Sequence, residues 1–266
     1  MIDAEAKRDF WDNGYVRLGK LLDDDEVAVI RDAIRDCDEM NKCHAAVKEK
    51  FEAGKYPSFE TIFVMNDVFT DNIFALACRK EAILDFVSDV FGDDAYLYHS
   101  KVVLKYPNTP GFKYHQDYYY WYEMGCLFPA MASCFIAIDA ATSENGCLRF
   151  VPGSHLCGRI NHVLTDGFSD SGCDPERVEL LRDRHGEVHM ELAPGEAVAF
   201  HCNLLHGSDT NDSEASRLAL LGCYNTKSNS PTNSNWTHPH YARQNRFGGK
   251  ITSSHALPDF DISFQT

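Results

Sequence analysis

Short runs of strand-forming residues, separated by glycine and proline turns, follow one another from about residue 95 to residue 225. Many short strands with such turns are typical of a sandwich or barrel rather than of a parallel sheet crossed by helices. The sequence therefore predicts a mainly β fold with flanking helices. The predicted strands are Tyr96–Tyr106, Tyr114–Tyr122, Ala132–Asp139, Cys147–Val151, Glu187–Leu192 and Ala197–His201 as a hairpin, and Arg217–Tyr224.

Helical patterns come before this strand-rich part, and polar sequence follows it. A short helix should precede a strand at Gly14–Leu18, and two longer helices are expected at Asp23–Met40 and Asn72–Phe91, the second ending at Gly92. Residues 41–60 and 156–186 show little periodicity and are expected to be irregular, the second as a long loop or lid. No segment resembles an interdomain linker. We therefore expect one domain over residues 1–266, with helices in 1–92, the β core in 95–225 and a surface wrap in 226–266.

The chain of 266 residues carries a formal net charge of −15 and contains no run of five or more basic residues. Nucleic acids and anionic membranes are poor partners for such a chain, because both need a basic surface. The segment Met1–Glu5 lacks the features of a signal peptide, and no apolar stretch is long enough to span a membrane. The ten cysteines form no Cys-x-x-Cys pair, which favours reduced thiols in a cytoplasmic protein. The oligomeric state stays open.

The segment Tyr114–Tyr122 reads Tyr-His-Gln-Asp-Tyr-Tyr-Tyr-Trp-Tyr. On an extended strand, side chains two residues apart project from the same face, so His115 and Asp117 would point the same way. An imidazole and a carboxylate on one face form two thirds of the 2-His-1-carboxylate triad that binds non-haem iron. A lone His-x-Asp is nevertheless weak evidence, because short motifs arise by chance.

Two further residues complete a constellation. His206 follows an apolar strand and stands before Gly207, where the backbone can approach a ligand closely. Arg217 begins another apolar strand, and a buried arginine there needs an anionic partner. Its planar guanidinium suits a carboxylate held by two hydrogen bonds, although an acidic side chain of the protein would serve as well.

Taken with Glu144–Leu148 and the Pro152-Gly153-Ser154-His155 segment, these motifs resemble the phytanoyl-CoA dioxygenase family over roughly residues 10–225. The resemblance implies a double-stranded β-helix that uses Fe(II), 2-oxoglutarate and O2. It also implies a role for each matching residue: iron ligands at His115, Asp117 and His206, cosubstrate contacts at Arg217 and Ser208 and also at Lys101 and Phe135, and a tryptophan near the substrate at Trp121.

Such an enzyme would hydroxylate a C–H bond of a small molecule and release succinate and CO2. If the strand continued past Asp117, Tyr119 and Trp121 would share the metal's face, which favours a small neutral or cationic substrate. Two alternatives stay open from the residues alone. One is an inactive relative that binds metal or 2-oxoglutarate as a sensor or interaction module, and the other is a β-sandwich without a ligand.

Overall fold

A computed structural model of the chain describes residues 3–52, 61–65, 71–163, 172–232 and 246–255. Its α-helices are α1 (Ala4–Asn13), α2 (Asp24–Arg35), α3 (Asp38–Glu52), α4 (Ile73–Cys78), α5 (Glu81–Phe91), α6 (Asp117–Glu123) and α7 (Pro175–His185). Its strands are β1 (Tyr15–Lys20), β2 (Thr61–Met65), β3 (Ala95–Lys105), β4 (Ala132–Ala137), β5 (Leu148–Phe150), β6 (His162–Val163), β7 (Gly172–Cys173), β8 (Val188–Met190), β9 (Glu196–His201), β10 (His206–Ser208) and β11 (Arg217–Thr226).

The strands form two main antiparallel sheets. The larger sheet has the order β1-β9-β4-β11-β3-β2, and the smaller has the order β10-β5-β8, while β6 and β7 pair separately. From β8 to β11, successive strands alternate between the smaller and the larger sheet, as in a double-stranded β-helix. The expected double-stranded β-helix, a jelly-roll core, is confirmed.

Alternation along the central strands divides the apolar residues between two layers. On β11, Leu218 and Leu220 point outward into the core shared with the helices, whereas Ala219 packs inward against the smaller sheet. Phe150 and Phe200 fill the same inner layer. The inner face of the larger sheet is therefore the wall from which a site between the sheets is built.

Several helical boundaries differ from the prediction. The expected helix Asp23–Met40 ends at Asp36, and α3 follows through residues predicted to be irregular. The helical segment expected to end at Gly92 is split into α4 and α5, although Gly92 ends it at φ 68° as expected. A helix, α7, lies within the predicted loop 156–186. It begins with an Asp174 cap and a proline in its first turn, and both are ordinary start signals.

The predicted hairpin of Glu187–Leu192 with Ala197–His201 is also wrong. β8 pairs with β5 in the smaller sheet, and β9 pairs with β1 and β4 in the larger one. The turn before β9 therefore carries the chain from one sheet to the other. Residues 164–171 of the expected lid, and residues 233–245 and 256–266 of the expected wrap, lie outside the described residues. No helix within the described ranges is both long and apolar enough to cross a membrane.

Two buried histidines join α1 to the β core. The His155 and His201 rings lie 5.3 Å apart, and His201 also contacts the rings of Phe10 and Trp11. His155 Nε2 donates to the Trp11 carbonyl at 3.0 Å, and His201 Nδ1 accepts from the Asn203 N–H at 3.0 Å. Burial lowers the pKa of His155 and lowers that of His201 to about 3. Both rings are therefore neutral in the folded protein.

This burial predicts loss of stability in acid. Between pH 6.5, the ordinary pKa of histidine, and about 3, the unfolded chain binds a proton at position 201 that the folded chain does not. The free energy of unfolding should therefore fall as the pH falls through this window. His201→Asn keeps an acceptor for Asn203 but cannot titrate. We expect it to be less stable overall and to lose less stability on acidification than the wild type.

Denaturant unfolding of the metal-free protein across this pH range measures the difference. His185→Asn, on the exposed end of α7, is the surface control. An unchanged pH dependence in His201→Asn would contradict the assignment of the acid sensitivity to this residue.

Candidate metal centre

An antiparallel β-bridge joins His115 to His206. The His115 N–H donates to the His206 carbonyl at 2.8 Å, and the His206 N–H donates to the His115 carbonyl at 3.0 Å. Directly bridged residues place their side chains next to each other. The two imidazole rings accordingly lie 4.2 Å apart, where the start of β10 meets the segment after β3.

Asp117 does not lie on a strand, and the prediction of a strand over Tyr114–Tyr122 is wrong. Gln116 is still extended, at φ −120° and ψ 129°, but Asp117 is the first residue of α6. The carboxylate nevertheless reaches the imidazoles, because Asp117 Oδ1 lies 3.9 Å from Nε2 of His115 and 3.9 Å from Nε2 of His206. One possible ligand atom from each of the three residues lies within 4.8 Å of the others.

The hydrogen bonds of the two imidazoles leave one ring nitrogen of each available to a metal. Nδ1 of His115 donates to the Lys113 carbonyl at 2.8 Å, and Nδ1 of His206 donates to the Leu204 carbonyl at 2.9 Å. Each Nε2 therefore keeps its lone pair for a metal. Burial lowers the pKa of His115 to about 3, so that this imidazole is neutral.

The carboxylate is held from the larger sheet. The Ser133 hydroxyl donates to Asp117 Oδ2 at 2.6 Å, which leaves Oδ1 facing the two imidazoles. Burial raises the Asp117 pKa, but the neighbouring His206 and His115, the Ser133 hydrogen bond and the Lys101 charge outweigh it and hold that pKa below its ordinary value. Two imidazoles and one carboxylate are the donor set expected for non-haem Fe(II).

A second group of functional side chains lies farther along the inner face of the larger sheet. Arg217 on β11 is almost fully buried and stands directly opposite Lys105 on β3. Its guanidinium donates to the Gly146 carbonyl and lies over the Phe135 ring, 5.5 Å from the ring centroid. Gly146 has φ 72°, and a Cβ there would come within 2.4 Å of the Asp209 carbonyl oxygen. Glycine is required at this turn for both reasons.

Lys105 is a candidate site residue that the sequence analysis did not name. It is fully buried, and its ammonium donates to Ser208 Oγ at 2.9 Å and to the Asp209 carbonyl. The signal was present in the sequence, because Lys101 and Lys105 lie on the same face of one strand. The two are four residues apart, or about 13 Å along the strand. Lys105 therefore lies at the Arg217 end, and Lys101, whose charge acts on Asp117, lies at the metal end.

The structure places the aromatic residues of α6 differently from the prediction. Tyr120, not Tyr119, faces His115, with ring centroids 6.3 Å apart. Tyr119 stacks on His162 at 4.0 Å and 15°. Trp121 is buried beside Tyr98 and His99 on β3. The expected shared face of Tyr119 and Trp121 is wrong, because a helix turns about 100° per residue whereas a strand turns 180°.

Comparison with known proteins agrees with this geometry. The family model for phytanoyl-CoA dioxygenase (PhyH) matches residues 10–219. The chain belongs to this family. Among the proteins similar in sequence is a 2-aminoethylphosphonate dioxygenase from the uncultured bacterium HF130_AEPn_1, 28% identical over 83% of this chain and 80% of that protein. An L-proline trans-4-hydroxylase of Streptomyces griseoviridis is 25% identical over 87% of this chain and 88% of that protein.

The fold is also that of a solved structure. EctD from S. alaskensis, crystallised with 2-oxoglutarate and 5-hydroxyectoine, superposes with a TM-score of 0.68 at 20% identity, over 93% of this chain and 86% of that one. Family membership and the three-ligand geometry together confirm the expected enzyme class, a dioxygenase that depends on Fe(II) and 2-oxoglutarate.

The Ser133 hydrogen bond generates a prediction about metal affinity. Ser133→Ala frees Asp117 Oδ2 and lets the carboxylate rotate, so the dissociation constant for Fe(II) should rise on the order of 10- to 100-fold, as for other partners of metal ligands. Anaerobic titration with Fe(II) measures it. Ser143→Ala removes a hydroxyl that bonds Glu191 away from the centre and is the control. Equal affinity in Ser133→Ala and wild type would mean that the hydrogen bond does not orient the ligand.

Proposed function

We propose that this protein hydroxylates a C–H bond of a small molecule, with His115, Asp117 and His206 as the ligands of its iron. The observation that carries the proposal is the convergence of two imidazole Nε2 atoms and one carboxylate oxygen within 4.8 Å. When bound, iron and 2-oxoglutarate supply the oxidising chemistry, in which O2 is consumed and the cosubstrate is converted to succinate and CO2. Three protein ligands leave coordination positions open for these small molecules.

The protein's own contribution begins with the cosubstrate. Arg217 presents a buried guanidinium. Lys105 stands opposite Arg217 on the neighbouring strand and donates to the Ser208 hydroxyl, so that all three groups lie at the same end of the sheet. We assign the carboxylate of 2-oxoglutarate that lies farther from the metal to these three groups. Charge-assisted hydrogen bonds from two cations in a buried position are strong enough to fix its orientation.

The path from that end to the metal is lined by residues in register. Phe135 pairs with Leu221, and Leu221 pairs with Lys101, so the three side chains form one row across the inner face. We propose that Phe135 packs against the carbon chain of 2-oxoglutarate and that Lys101 neutralises charge at its metal-binding end. The positive field of Lys101 at Asp117 supports this position.

The substrate would approach from the aromatic side of the centre. Tyr119, Tyr120 and Trp121 lie on α6, two to four residues after Asp117. Trp121 belongs to the apolar cluster that also contains Tyr98 and Met131. We propose that this side excludes water around the reacting C–H bond and orients a small substrate. Lys101 on the adjoining wall favours a neutral or anionic group over the cation that the sequence suggested.

We also propose a cytoplasmic location and a small-molecule partner. The nine cysteines described by the structure are all free, and eight of them are buried. This supports reduced thiols and a cytoplasmic enzyme. The net charge of −15 supports a small-molecule partner rather than nucleic acid.

Succinate release tests the proposal directly. We expect the purified protein, loaded with Fe(II), to release succinate from 2-oxoglutarate, and faster with the compound it oxidises among a panel of L-proline, ectoine, 2-aminoethylphosphonate and related metabolites. His206→Ala should abolish this release because it removes one ligand, while circular dichroism shows an unchanged fold. A His206→Ala protein with full iron content and activity would exclude the metal assignment.

Arg217→Ala tests the cosubstrate assignment. Leaving a buried carboxylate without its guanidinium should weaken 2-oxoglutarate binding by about 2–5 kcal/mol. The affinity of Arg217→Lys for 2-oxoglutarate should lie between those of Arg217→Ala and the wild type, because lysine keeps the charge and loses the two-hydrogen-bond geometry of the guanidinium. The exposed Arg177→Ala on α7 is the surface control. Dissociation constants for 2-oxoglutarate measure the effect, and equal values in Arg217→Ala and wild type would place the carboxylate elsewhere.

A further inference from the structure

Gln116 stands between the ligands His115 and Asp117, yet its fully buried side chain serves another purpose. Its Nε2 donates to the Gly158 carbonyl at 2.9 Å and to the Asn203 carbonyl at 2.6 Å. Its Oε1 accepts from the Ile160 N–H at 2.7 Å. Only a primary amide offers two donors and an acceptor in this arrangement. A glutamate would direct one carboxylate oxygen at two carbonyls, and an aliphatic side chain would leave three backbone groups unpaired.

These bonds fix the segment Gly158–Val163, which follows the 3₁₀ turn at Ser154–Cys157. The Gln116 backbone N–H also donates to His162 Nε2 at 3.3 Å. His162 Nδ1 lies 3.1 Å from the Ile160 carbonyl, so Nδ1 carries the proton and Nε2 is the acceptor. Ile160 itself packs into an apolar cluster with Val151 and Leu205. The side chain and the backbone of Gln116 thus both act on one loop.

The loop ends in an aromatic wall beside the metal centre. The His162 ring lies flat on Tyr119, at 4.0 Å and 15°, and meets Tyr120 edge-on at 5.8 Å. Tyr120 in turn meets the His115 ring edge-on. Rings therefore continue from the metal ligand outward to the loop. Burial lowers the pKa of His162 to about 4, and both its nitrogens are used, so the wall presents ring surface and no cation.

We propose that Gln116 is a positioning residue that holds His162 against Tyr119, and that this stacked pair forms a specificity-determining wall of the substrate pocket. The inference rests on the proposed hydroxylase function. The wall contacts the apolar, C–H-bearing part of the small substrate, because its nitrogens are already bonded to the protein. Polar groups of the substrate then belong on the Lys101 side.

The experiment compares Gln116→Met, His162→Ala and the double variant with wild type, and uses Asn161→Ala, an exposed residue of the same loop, as the control. The rate of hydrogen exchange at the Ile160 amide reports directly on its hydrogen bond to Gln116. The dissociation constant for Fe(II) alone reports on the metal site. The effect on the aromatic wall is measured by the KM for the fastest-oxidised panel compound and by the succinate released per product formed.

We expect Gln116→Met to speed exchange at Ile160 and to raise the substrate KM roughly tenfold, the scale of unpairing buried polar groups. Succinate release should become partly uncoupled from product formation, while the dissociation constant for Fe(II) stays within about twofold, because Gln116 is not a ligand. His162→Ala should produce the same loss with normal exchange at Ile160. The double variant should be no worse than either single one, since residues that act through one contact are not additive.

Three results would overturn the proposal: equal losses of Fe(II) affinity and substrate affinity in Gln116→Met, an unchanged KM and coupling in His162→Ala, or additive effects in the double variant. His162→Ala leaves the buried amide intact and decides the question if Gln116→Met does not fold. If wild type forms no succinate under any condition, the proposed function fails. Exchange at Ile160 still reports separately whether Gln116 holds the loop.

Discussion

The two backbone hydrogen bonds between His115 and His206 join the segment after β3, a strand of the larger sheet, to β10 of the smaller sheet. Their geometry is rigid, because a bridged pair has one relative orientation. Both imidazoles depend on it for their separation, and the carbonyls of Lys113 and Leu204 then select the tautomer. Asp117 is tied independently to β4 through Ser133. The centre is thus assembled where the two sheets meet, and none of its parts is held by a flexible side chain alone.

The charge distribution follows from the same architecture. The protein as a whole is strongly acidic, yet the inner face of β3 and β11 carries Arg217 and Lys105 with almost no exposure. Burying such cations is costly unless their donors are bonded. The carbonyls of Gly146 and Asp209 accept from them, and those turns belong to the loops that close the end of the barrel. If the carboxylate of 2-oxoglutarate binds at this end, as we propose, it meets cations whose positions these carbonyls already fix, so little reorganisation is needed.

The short helix after the ligand motif shapes the other side of the centre. Residues three and four apart share a helical face, so Tyr120 and Trp121 stand on the side of Asp117. Tyr119 points elsewhere and is paired by His162 from the following loop. The aromatic run therefore serves two surfaces, one packed on β3 and one packed on the loop that Gln116 holds. A strand would have placed alternate rings on opposite faces with no contact to that loop.

The family, much of the candidate site and the β core of this protein could be predicted from its sequence. The ordered motifs at His115, Asp117, His206 and Arg217 identified the family, because the chemistry of an iron site restricts which residues can stand there. The turn residues and apolar alternation likewise determined the β core and most strand positions. Helix α6 was misread because Tyr and Trp favour strands, and local propensity is overridden when Asp117 must turn back toward the histidines. The same limit applies to β8 and β9, whose sequence reads as a hairpin although each pairs in a different sheet. Lys105, Ser133 and Gln116 acquired their roles only through contacts with residues far away in the chain. Composition and periodicity record which side chains prefer to be buried, whereas only the packed sheets decide which distant backbone carbonyl or carboxylate a buried donor meets.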